Sequence, residues 1–433
     1  MARGPLDPAR QIAIVSAVSE TLEPQPWMTA PPTRAVFEAL EARGGRGCAR
    51  FVGGCVRNAV IGREIDDIDI ATVLTPDEAT AALEARGIRV VPTGVEHGTV
   101  TAVADHQPFE ITTLRRDVST DGRRAVVAFS TDWSEDAQRR DFRLNALYMD
   151  LDGGIFDPTG GGLADARAGR IVFVGDPIVR IREDYLRILR FFRFYAWFGK
   201  GEPDAAAVDA CRALKDTLSA RTAERTQKEM LKLLAAHDPR RSLRLMAATG
   251  VLGAVLPEAG DLARVDGLVE IELGLSECDP ELRLAALIHQ SAAAAAKTAE
   301  LLRLSNAQRE RLIAAVGAEP RIVSWMSQRQ LRQAIYRLGK RTVCDRLKLA
   351  WAGSRGRKGA EPQWRALLAL AGEWTAPSFP VNGEDAKAAG VAEGPPIGQV
   401  LREVEDWWVD EDFPAGRALV LERLRLVAQG IGG

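Results

Sequence analysis

The pattern of apolar and polar positions divides the chain into a mixed front part and a helical remainder. Residues 1–46 are predicted to form a leader followed by a helix. From residue 47 onward, short stretches rich in β-branched residues alternate or run apolar, as strands do. One stretch passes through a glycine turn into a helical pattern and then a second strand, ARFVGGCVRNAVIG followed by DDIDIAT. Residues 47–165 are therefore predicted to be a mixed α/β unit with a small sheet.

Helical spacing of apolar residues dominates after the glycine-rich segment DPTGGGLADARAGR, which marks a domain boundary. Stretches such as EDYLRILRFFRFYAWF and ERTQKEMLKLLAAH place apolar residues on one helix face. A Pro- and Gly-rich interruption, WTAPSFPVNGEDAKAAGVAEGPPIG, precedes the last helical stretch. The chain is therefore predicted to be α+β, with all-helical regions at 166–245, 246–372 and 373–433.

The composition is that of an ordinary globular protein, with 46% hydrophobic and 27% charged residues among 433. No apolar run is long enough to cross a bilayer, and the N-terminus lacks the order of a secretory signal, so we expect a cytoplasmic protein. The five cysteines include no C-x-x-C pair and the four histidines are scattered, which argues against a zinc site. A metal would then be held by carboxylates, which prefer hard ions such as Mg²⁺.

Positive charge is concentrated in one segment of a nearly neutral chain. Residues 166–245 contain 17 Lys and Arg against 10 Asp and Glu, whereas the whole chain has a net charge of -2. Such a segment is typical of a site for a polyanion. A solvated helix face explains the same charge equally well.

Two aspartates after a glycine turn form the first candidate site. Gly53 and Gly54 lie between a strand and a helix, where backbone N–H groups can approach a phosphate, and Arg57 adds a fork of donors. Asp67 and Asp69 are two apart in an apolar strand, so both are predicted to project from one sheet face and hold a divalent metal pair. A solvated strand end is the alternative.

A third carboxylate, Glu110, lies in the β-branched stretch PFEITTLR, which could pair beside the aspartate strand. There Glu110 would complete the metal site or help to take the proton from an attacking hydroxyl. An exposed strand glutamate is an equally good interpretation of the sequence alone.

Arg140, Asp141 and Asn145 combine donors and acceptors that suit the phosphates and sugar hydroxyls of a nucleotide. A charged helix start, with Asp141 as its cap, would use the same residues.

A second cluster follows at Asp184 and Arg187, which are predicted to be neighbours on a helix face. Arg190 and Arg193 continue the row that begins with Arg187 at the same spacing. An intrahelical ion pair with a solvated basic face is the ordinary meaning of such spacing.

Taken in order, these motifs resemble those of the class II CCA-adding enzymes in the polymerase-β-like nucleotidyltransferase superfamily. The segment SFPVNGEDAKAAGVAEGPPIGQVL also resembles the tail of these enzymes. The resemblance implies an N-terminal nucleotidyltransferase head with a small mixed sheet, followed by an all-helical neck, body and tail. The matching stretches are FVGGCVRNAVIGREIDDIDIAT, TGVEHGTVTAV, FEITTLRRDVSTDGRRAVVAF, RRDFRLNALYMD, GDPIVRIREDYLRILRFFRF and ERTQKEMLKLL.

The resemblance also implies a role for each candidate residue. Asp67 and Asp69 would hold two Mg²⁺ ions, and Glu110 remains a candidate for the same catalytic site. Asp184 and Arg187 would read the base, and the Glu224–Arg225 pair would brace the helix that carries them. The residues expected to contact the incoming nucleotide are Gly54, Arg57, Arg140, Asp141, Asn145, Arg190 and Arg193.

Two positions depart from the family pattern. Asn58 stands where the family usually has Asp, which weakens any charge-based role there. The stretch LAALIHQ sets Gln290 beside His289, so we do not expect the metal phosphohydrolase activity that many bacterial relatives carry.

The implied activity is template-independent addition of C, C and A to the 3′ end of tRNA, with CTP and ATP as substrates and pyrophosphate as product. A carboxylate beside an arginine matches the amino group and ring acceptor that cytosine and adenine share, and rejects uracil and guanine. The expected partners are therefore tRNA, CTP and ATP, with the oligomeric state left open. Alternatives are a bacterial poly(A) polymerase, a CC-only or A-only relative, and a catalytically inactive RNA-binding protein.

Residues 116–138 mix Gly, Ser, Thr, Asp and Arg with short apolar runs, so much of this segment is predicted to be a mobile loop. The resemblance implies that a flexible loop here supports the switch from C to A. Charged side chains that could act in the switch are Arg116, Asp117, Asp121 and Arg123. A passive surface hairpin is the alternative.

Overall fold

The computed structural model describes residues 18–120, 125–218, 223–354 and 359–431. Contacts divide the chain into two compact units, Met1–Val255 and Leu256–Gly433. All strands of the described residues lie in the first unit: β1 (Glu20–Thr21), β2 (Ala49–Val52), β3 (Asp69–Thr72), β4 (Arg89–Gly94), β5 (Thr99–Ala104), β6 (Gln107–Thr113), β7 (Arg115–Thr120), β8 (Ala125–Phe129), β9 (Tyr148–Met149) and β10 (Gly154–Phe156).

Helices make up most of the remaining described structure. Those of the first unit are α1 (Pro26–Thr29), α2 (Pro31–Gly44), α3 (Gly54–Ile61), α4 (Pro76–Glu84), α5 (Trp133–Gln138), α6 (Gly162–Ala168), α7 (Pro177–Glu183), α8 (Arg187–Phe198), α9 (Ala205–Leu214), α10 (Ala223–Leu234), α11 (Arg240–Thr249) and α12 (Val251–Val255). Those of the second unit are α13 (Ala263–Leu275), α14 (Pro280–Leu287), α15 (Ala292–Leu301), α16 (Asn306–Ala315), α17 (Gln328–Leu338), α18 (Lys340–Gly353), α19 (Glu361–Glu373), α20 (Gly383–Ala388), α21 (Pro395–Asp410) and α22 (Arg417–Ile431). The predicted α+β fold class, with a sheet first and helices after it, is confirmed.

Eight strands form one mixed sheet in the order β1-β10-β9-β2-β3-β6-β5-β4. Neighbouring strands in this sheet are antiparallel, except that β3 and β6 run parallel. All four residues of β2 are buried, including Arg50, as expected for a central strand covered on both faces. The strand ends at a glycine turn that leads directly into α3, so the turn opens at the middle of the sheet.

Residues 18–46 of the N-terminal segment belong to this sheet unit. Strand β1 pairs with β10, and the ring of Phe37 on α2 lies 4.6 Å from that of Phe51 on β2. The single predicted helix is two helices, because α2 restarts at Pro31, a residue that suits the first turn of a helix. Residues 1–17 lie outside the described residues.

Three of the predicted domain boundaries fall inside helices. The boundaries after residues 165, 245 and 372 cut α6, α11 and α19. Contacts place the main division after Val255 instead. The glycine-rich segment signalled the end of the sheet correctly, but it did not reveal that the following helices pack in the same unit.

The segment predicted to be mostly a mobile loop has regular structure over most of its described residues, the exception being residues 130–132. Strands β7 and β8 pair antiparallel as a two-stranded hairpin, and α5 follows. The prediction is therefore wrong for these residues, because backbone pairing overrode a polar composition that favours loops. Two of the charged side chains expected to act in a switch, Asp121 and Arg123, lie outside the described residues.

Aromatic packing fixes the helix that carries the predicted base reader. The rings of Phe173 and Phe194 lie 4.8 and 5.1 Å from the ring of Phe142, with Phe194 contributed by α8. Phe191 and Phe192 on the same helix are fully buried. Contacts of this kind add about 0.5–1.5 kcal/mol each beyond the area that they bury. They hold α8 against the segment that contains Arg140–Asn145.

The second unit contains helices and no strand among its described residues. A buried ion pair joins Arg283 of α14 to Glu272 of α13 at 2.5 Å, with both side chains inaccessible to solvent. The last three helices share a core that includes Val400, Trp408 and Leu424. No helix in the described part of the chain is both long and apolar enough to cross a membrane.

Candidate active site

A pair of neighbouring carboxylates stands where the two parallel strands meet. The register of β3 and β6 sets Asp69 directly beside Glu110, so the predicted strand pairing is confirmed. Asp69 is half-buried, whereas Glu110 is exposed. Burial, and then the negative charges of Glu110 and Asp67, raise the pKa of Asp69 to about 6 against the opposing charge of Arg140. The protein therefore compensates the negative charge of these three carboxylates only in part.

Asp67 lies outside the strand that was predicted to contain it. Strand β3 begins at Asp69, and Asp67 is an exposed residue of the preceding loop. The prediction that both aspartates lie within the strand is therefore wrong, and their projection from one face stays a prediction. Asp67 is close enough to influence the ionisation of Asp69.

The donor set of this site fits a hard divalent cation. Within the described residues, Asp67, Asp69 and Glu110 have no ion-pair partner, and no cluster of three side chains is already arranged as a complete metal site. Mg²⁺ is commonly held by one or two carboxylates, with substrate phosphates and water completing its coordination. Two aspartates on an open edge match that requirement.

The glycine turn after β2 lies next to both Asp69 and Arg140. Gly53 has a φ of 73°, a left-handed conformation that glycine adopts without strain. A Cβ atom at Gly53 would lie 3.7 Å from Nη1 of Arg140 and 3.8 Å from Oδ2 of Asp69. Because Gly53 precedes α3, the free N–H groups of the first helical turn, beginning at Gly54, open at this point. The carboxylates that could bind a cation therefore lie next to N–H groups that could donate hydrogen bonds to a phosphate.

Arg57 is anchored inside the head. Its Nη1 donates to Oδ1 of Asn145 at 2.7 Å, and its guanidinium lies 4.1 Å from the ring centre of Phe198. Oδ1 of Asn58 accepts from Nε and Nη2 of Arg57 at 3.2 and 2.9 Å. Burial, and then the charge of Arg193, lower the pKa of Arg57 to about 10. Asn58 therefore supplies the geometry of an acceptor here without the negative charge of an aspartate.

Asn145 connects Arg57 to a second buried pair. Its Nδ2 donates to Oδ1 of Asp141 at 3.1 Å, and Oδ2 of Asp141 accepts from Nε of Arg190 at 2.7 Å. Burial alone would raise the pKa of Asp141, but Arg190 and Asn145 hold it below its usual range. Asp141 and Asn145 are only 8% and 7% exposed. Their observed role is to fix the two arginines, and contact with a nucleotide stays a prediction for both.

The comparisons with known proteins agree with this arrangement. The family model described as the poly A polymerase head domain matches residues 49–172, and the model described as a probable RNA and SrmB-binding site of polymerase A matches residues 202–262. The mitochondrial CCA tRNA nucleotidyltransferase 1 of Danio rerio is 32% identical to this chain, over 87% of this chain and 86% of that protein. The CCA-adding enzyme of Levilactobacillus brevis is 33% identical, over 86% of this chain and 91% of its own length.

The chain belongs to the CCA-adding tRNA nucleotidyltransferase family. The fold agrees as well, because the crystal structure of the Bacillus stearothermophilus CCA-adding enzyme in complex with CTP matches with a TM-score of 0.70 and 26% identity. That match covers 92% of this chain and 99% of the other. Enzymes of this family generally use divalent metal ions.

The residues that would read the base in a CCA-adding enzyme do not share one helix face. Asp184 follows the last residue of α7, its Oδ1 accepts from the backbone N–H of Leu186, and α8 begins only at Arg187. Oδ2 of Asp184 accepts from Nη2 of Arg225 at 2.7 Å. The prediction that Asp184 and Arg187 are neighbours on one helix face is therefore wrong, and Arg225 contacts Asp184 directly.

Arg187 is positioned by other groups. Its Nη1 donates to the carbonyl of Arg180 at 2.9 Å and to Oε2 of Glu183 at 2.5 Å, and its Nη2 donates to the carbonyl of Arg139 at 3.2 Å. A guanidinium has five N–H donors, so these bonds orient Arg187 and leave donors for a base.

Arg190 and Arg193 both reach Glu229 on α10. Oε2 of Glu229 accepts from Nε of Arg193 at 2.6 Å, and Arg190 lies 3.7 Å from the other oxygen. The side chain of Arg190 is 32% exposed and that of Arg193 is 16% exposed. Both arginines thus keep some surface for the triphosphate that the resemblance assigns to them.

Asp136 on α5 is the site residue that sequence analysis missed. Its Oδ2 accepts from Nη2 of Arg140 at 2.9 Å and from the hydroxyl of Tyr148 at 2.7 Å, and its Oδ1 accepts from Nε of Arg139 at 2.8 Å. Burial alone would raise the pKa of Asp136, but Arg140, Arg139 and Tyr148 lower it to about 2. The one available signal was the spacing of four residues between Asp136 and Arg140.

Asp136 also connects the hairpin to the base reader. The backbone N–H of Arg115, the first residue of β7, donates to Oδ1 of Asp136 at 3.4 Å. At the end of α5, the carbonyls of Gln138 and Arg139 accept from Arg180 and Arg187 at 2.7 and 3.2 Å. A continuous series of hydrogen bonds therefore runs from the start of the hairpin through α5 to Arg187.

Proposed function

We propose that this chain adds C, C and A to the 3′ end of tRNA, using CTP and ATP and releasing pyrophosphate. The proposal rests on the proximity of Asp69, Gly53 and Arg140. There a carboxylate that could bind a cation lies next to N–H groups that could donate hydrogen bonds to a phosphate. The names of the relatives point to the same reaction, since they are a CCA tRNA nucleotidyltransferase and CCA-adding enzymes.

In the proposed reaction, the tRNA 3′-hydroxyl attacks the α-phosphate of the nucleotide in line and pyrophosphate leaves. The backbone N–H groups that follow Gly53, together with Arg140, bind and orient the phosphates. Asp67 and Asp69 would hold two Mg²⁺ ions, which supply charge neutralisation and activation of the hydroxyl when bound. Glu110, exposed beside Asp69, is the remaining carboxylate that can receive the proton of the hydroxyl.

Base choice would depend on Asp184 and Arg187. A carboxylate that accepts from an amino group, beside a guanidinium that donates to a ring nitrogen, suits cytosine and adenine alike. Uracil and guanine present the opposite pattern, so their binding would leave two polar groups of the protein unpaired. Arg225 holds Asp184 and Glu183 holds Arg187, so each side chain is oriented before the base arrives.

The helical regions are proposed to bind tRNA. The basic segment 166–245 would act as the neck, holding the triphosphate and the acceptor end, and residues 246–372 and 373–433 would contact the remainder of the tRNA as body and tail. We also propose a cytoplasmic site of action, although a relative named as mitochondrial belongs to the same family.

The decisive experiment supplies each NTP singly and in combination to a tRNA that lacks its terminal CCA. We expect two C residues from CTP alone and one further A when ATP is added, with no product from UTP or GTP. A long A tail would identify a poly(A) polymerase, and products that end at CC, or that need a CC end first, would identify the specialised relatives. Binding of tRNA without any incorporation would identify an inactive RNA-binding protein.

Replacing Asp184 by Ala should relax the choice of base. The variant should incorporate UTP and GTP more readily and should slow correct addition, because one charge-assisted hydrogen bond, of about 1.5–3 kcal/mol, is lost. Rates for all four nucleotides measured on one tRNA test this expectation. Asp209→Ala is the matched control, since Asp209 is paired with Arg212 on α9 in an exposed ion pair. Unchanged selectivity in Asp184→Ala would disprove the assignment of the reader.

Changes in the hairpin should separate the addition of A from the addition of C. Replacing Arg116 and Asp117 by Ala, or excising residues 119–122, should leave CC addition largely intact and slow addition of the terminal A at least tenfold, about 1.4 kcal/mol of barrier. The reason is that one pocket must be readjusted for the larger base, and the hairpin is connected to Arg187 through Asp136. Single-nucleotide incorporation on tRNA ending in CC measures the effect.

Arg89→Ala, on the exposed edge strand β4, provides a control for changes elsewhere in the sheet. Equal losses of C and A addition in the hairpin variants would mean that the hairpin supports the fold alone. Full retention of A addition would mean that it has no part in the switch.

A further inference from the structure

A cavity of about 490 Å³ opens among the helices of the second unit. Its walls come from the start of α13, the segment after α16, α18 and the start of α19. Cavities of this size are typical of sites for small molecules. A neighbouring cavity of about 440 Å³ shares Arg264, Gln290 and Gly353 with it, so the accessible space is larger than the first cavity alone.

The lining of the first cavity is positively charged without compensation. Arg264, Arg321 and Arg346 line it, and its described lining contains no Asp or Glu. None of the three arginines forms an ion pair with a described residue. The nearest acidic influence is Asp261, which lines the neighbouring cavity and favours the charged form of Arg264 from a distance. Three unpaired guanidinium groups around one cavity favour an anionic occupant.

Arg346 shows that the cavity is constructed around a cation and is not merely flanked by surface charge. The residue is 9% exposed, and its Nε and Nη1 donate to the carbonyls of Ala314 and Glu319 at 2.7 and 2.6 Å. Its Nη2 has no hydrogen-bond partner among the described residues, and a Cβ on Gly317 would approach that atom to 2.1 Å. The glycine therefore makes room for a fixed guanidinium with a free donor. Burial without a carboxylate lowers the pKa of Arg346.

Two tryptophans supply the aromatic part of the lining. Trp325 is 67% exposed, which is unusual for so large a side chain. Trp364 is 4% exposed, and its indole N–H has no acceptor among the described residues. Exposed aromatic faces beside arginines are suited to stacking with a planar base while the guanidinium groups bind a phosphate.

We propose that this cavity binds a small nucleoside phosphate, at a site separate from the catalytic residues of the first unit. The phosphate is bound by Arg264, Arg321 and the free Nη2 of Arg346, and the base stacks on Trp325. A free nucleotide fits the observations better than a surface-bound RNA chain, because the most strongly fixed cation, Arg346, is buried. The proposal does not depend on the catalytic function proposed for the first unit.

Calorimetric titration of the full chain with AMP tests the proposal, with inorganic phosphate as the second probe. AMP should bind, and phosphate should bind more weakly because it cannot stack. Arg264→Gln, Arg321→Gln and Trp325→Ala should each weaken AMP binding at least tenfold. These three side chains are preferred to Arg346, whose bonds to two carbonyls support the local backbone and whose loss could unfold the unit. Arg309→Gln, which changes an exposed arginine on α16 outside the cavity, should leave AMP binding unchanged.

Each other result overturns the proposal. AMP binding that survives all three cavity variants would place the nucleotide elsewhere. Equal affinity for AMP and for inorganic phosphate would mean that the base makes no contact with the cavity. If AMP does not bind and the cavity variants weaken tRNA binding instead, the cavity belongs to an RNA-binding surface and not to a small-molecule site.

Discussion

Replacing Asp69 by Asn should slow both C and A addition at least a thousandfold, which corresponds to about 4 kcal/mol of barrier. Asp69 is half-buried beside Glu110 and close to Asp67, and it is the more buried of the two strand carboxylates. The amide keeps the size of the side chain but removes the charge that a divalent cation requires. Incorporation of CTP and ATP into tRNA lacking CCA measures the loss, and tRNA affinity should be retained.

A second measurement on the same variant does not depend on catalysis. Added Mg²⁺ should raise the unfolding temperature of the unmodified protein, because a ligand that binds only the folded state stabilises it. The increase should be smaller in Asp69→Asn. Asp66→Asn is the matched control, since Asp66 is an exposed carboxylate in the same loop as Asp67. Near-normal incorporation in Asp69→Asn, or an equal Mg²⁺ effect in all three proteins, would disprove the metal assignment.

Replacing Asp136 by Ala should lower the free energy of unfolding by about 3–5 kcal/mol, because it leaves buried arginines without their counter-charge. Asp136 is 1% exposed and accepts hydrogen bonds from Arg139, Arg140 and Tyr148. Asp136→Asn should lower the free energy of unfolding by less, since the amide oxygen can still accept a hydrogen bond. Denaturant unfolding measures both variants, and Asp132→Ala is a control for α5, because Asp132 is the exposed N-cap residue of that helix.

The effect of Asp136 should also depend on pH. The pKa of Asp136 is about 2 in the folded protein, against about 3.9 for an unperturbed aspartate. A carboxyl group whose pKa is lower in the folded protein stabilises the fold at any pH above its pKa in the unfolded chain. This contribution disappears as the pH falls from about 4 towards 2. The difference in stability between the unmodified protein and Asp136→Asn should therefore shrink in that range. A constant difference would mean that the carboxylate charge contributes nothing.

The pairing of Asp69 with Glu110 could be anticipated from the sequence because strand patterns are local. Both residues lie in stretches whose β-branched and apolar neighbours predict strands, and the register confirms that the strands adjoin. The position of Asp67 could not be anticipated, since the first residue of a strand depends on which backbone groups find partners. Those partners lie on distant strands that the local pattern does not identify.

The break between Asp184 and Arg187 illustrates a different limit. The spacing of apolar residues from α7 to α8 predicts one continuous helix. Asp184 instead accepts a hydrogen bond from the backbone of Leu186 and has extended dihedral angles. A side chain that bonds its own backbone competes with the helix in a way that spacing does not reveal. Asp136 was missed for the opposite reason. An aspartate among polar residues is expected at the surface, and only its tertiary partners show that it is buried.

The anchoring of Arg187 and Arg180 to the carbonyls of Arg139 and Gln138 has a consequence for engineering altered nucleotide choice. Main-chain acceptors remain whatever side chain occupies the position, so randomising residue 138 does not release Arg180. A selection for new base preference must therefore act on the shape of the α5 backbone, through the residues that terminate the helix, or on the arginines themselves. Screening libraries built on those positions would explore real changes in the pocket, whereas libraries restricted to the side chain of Gln138 would return enzymes with their original preference.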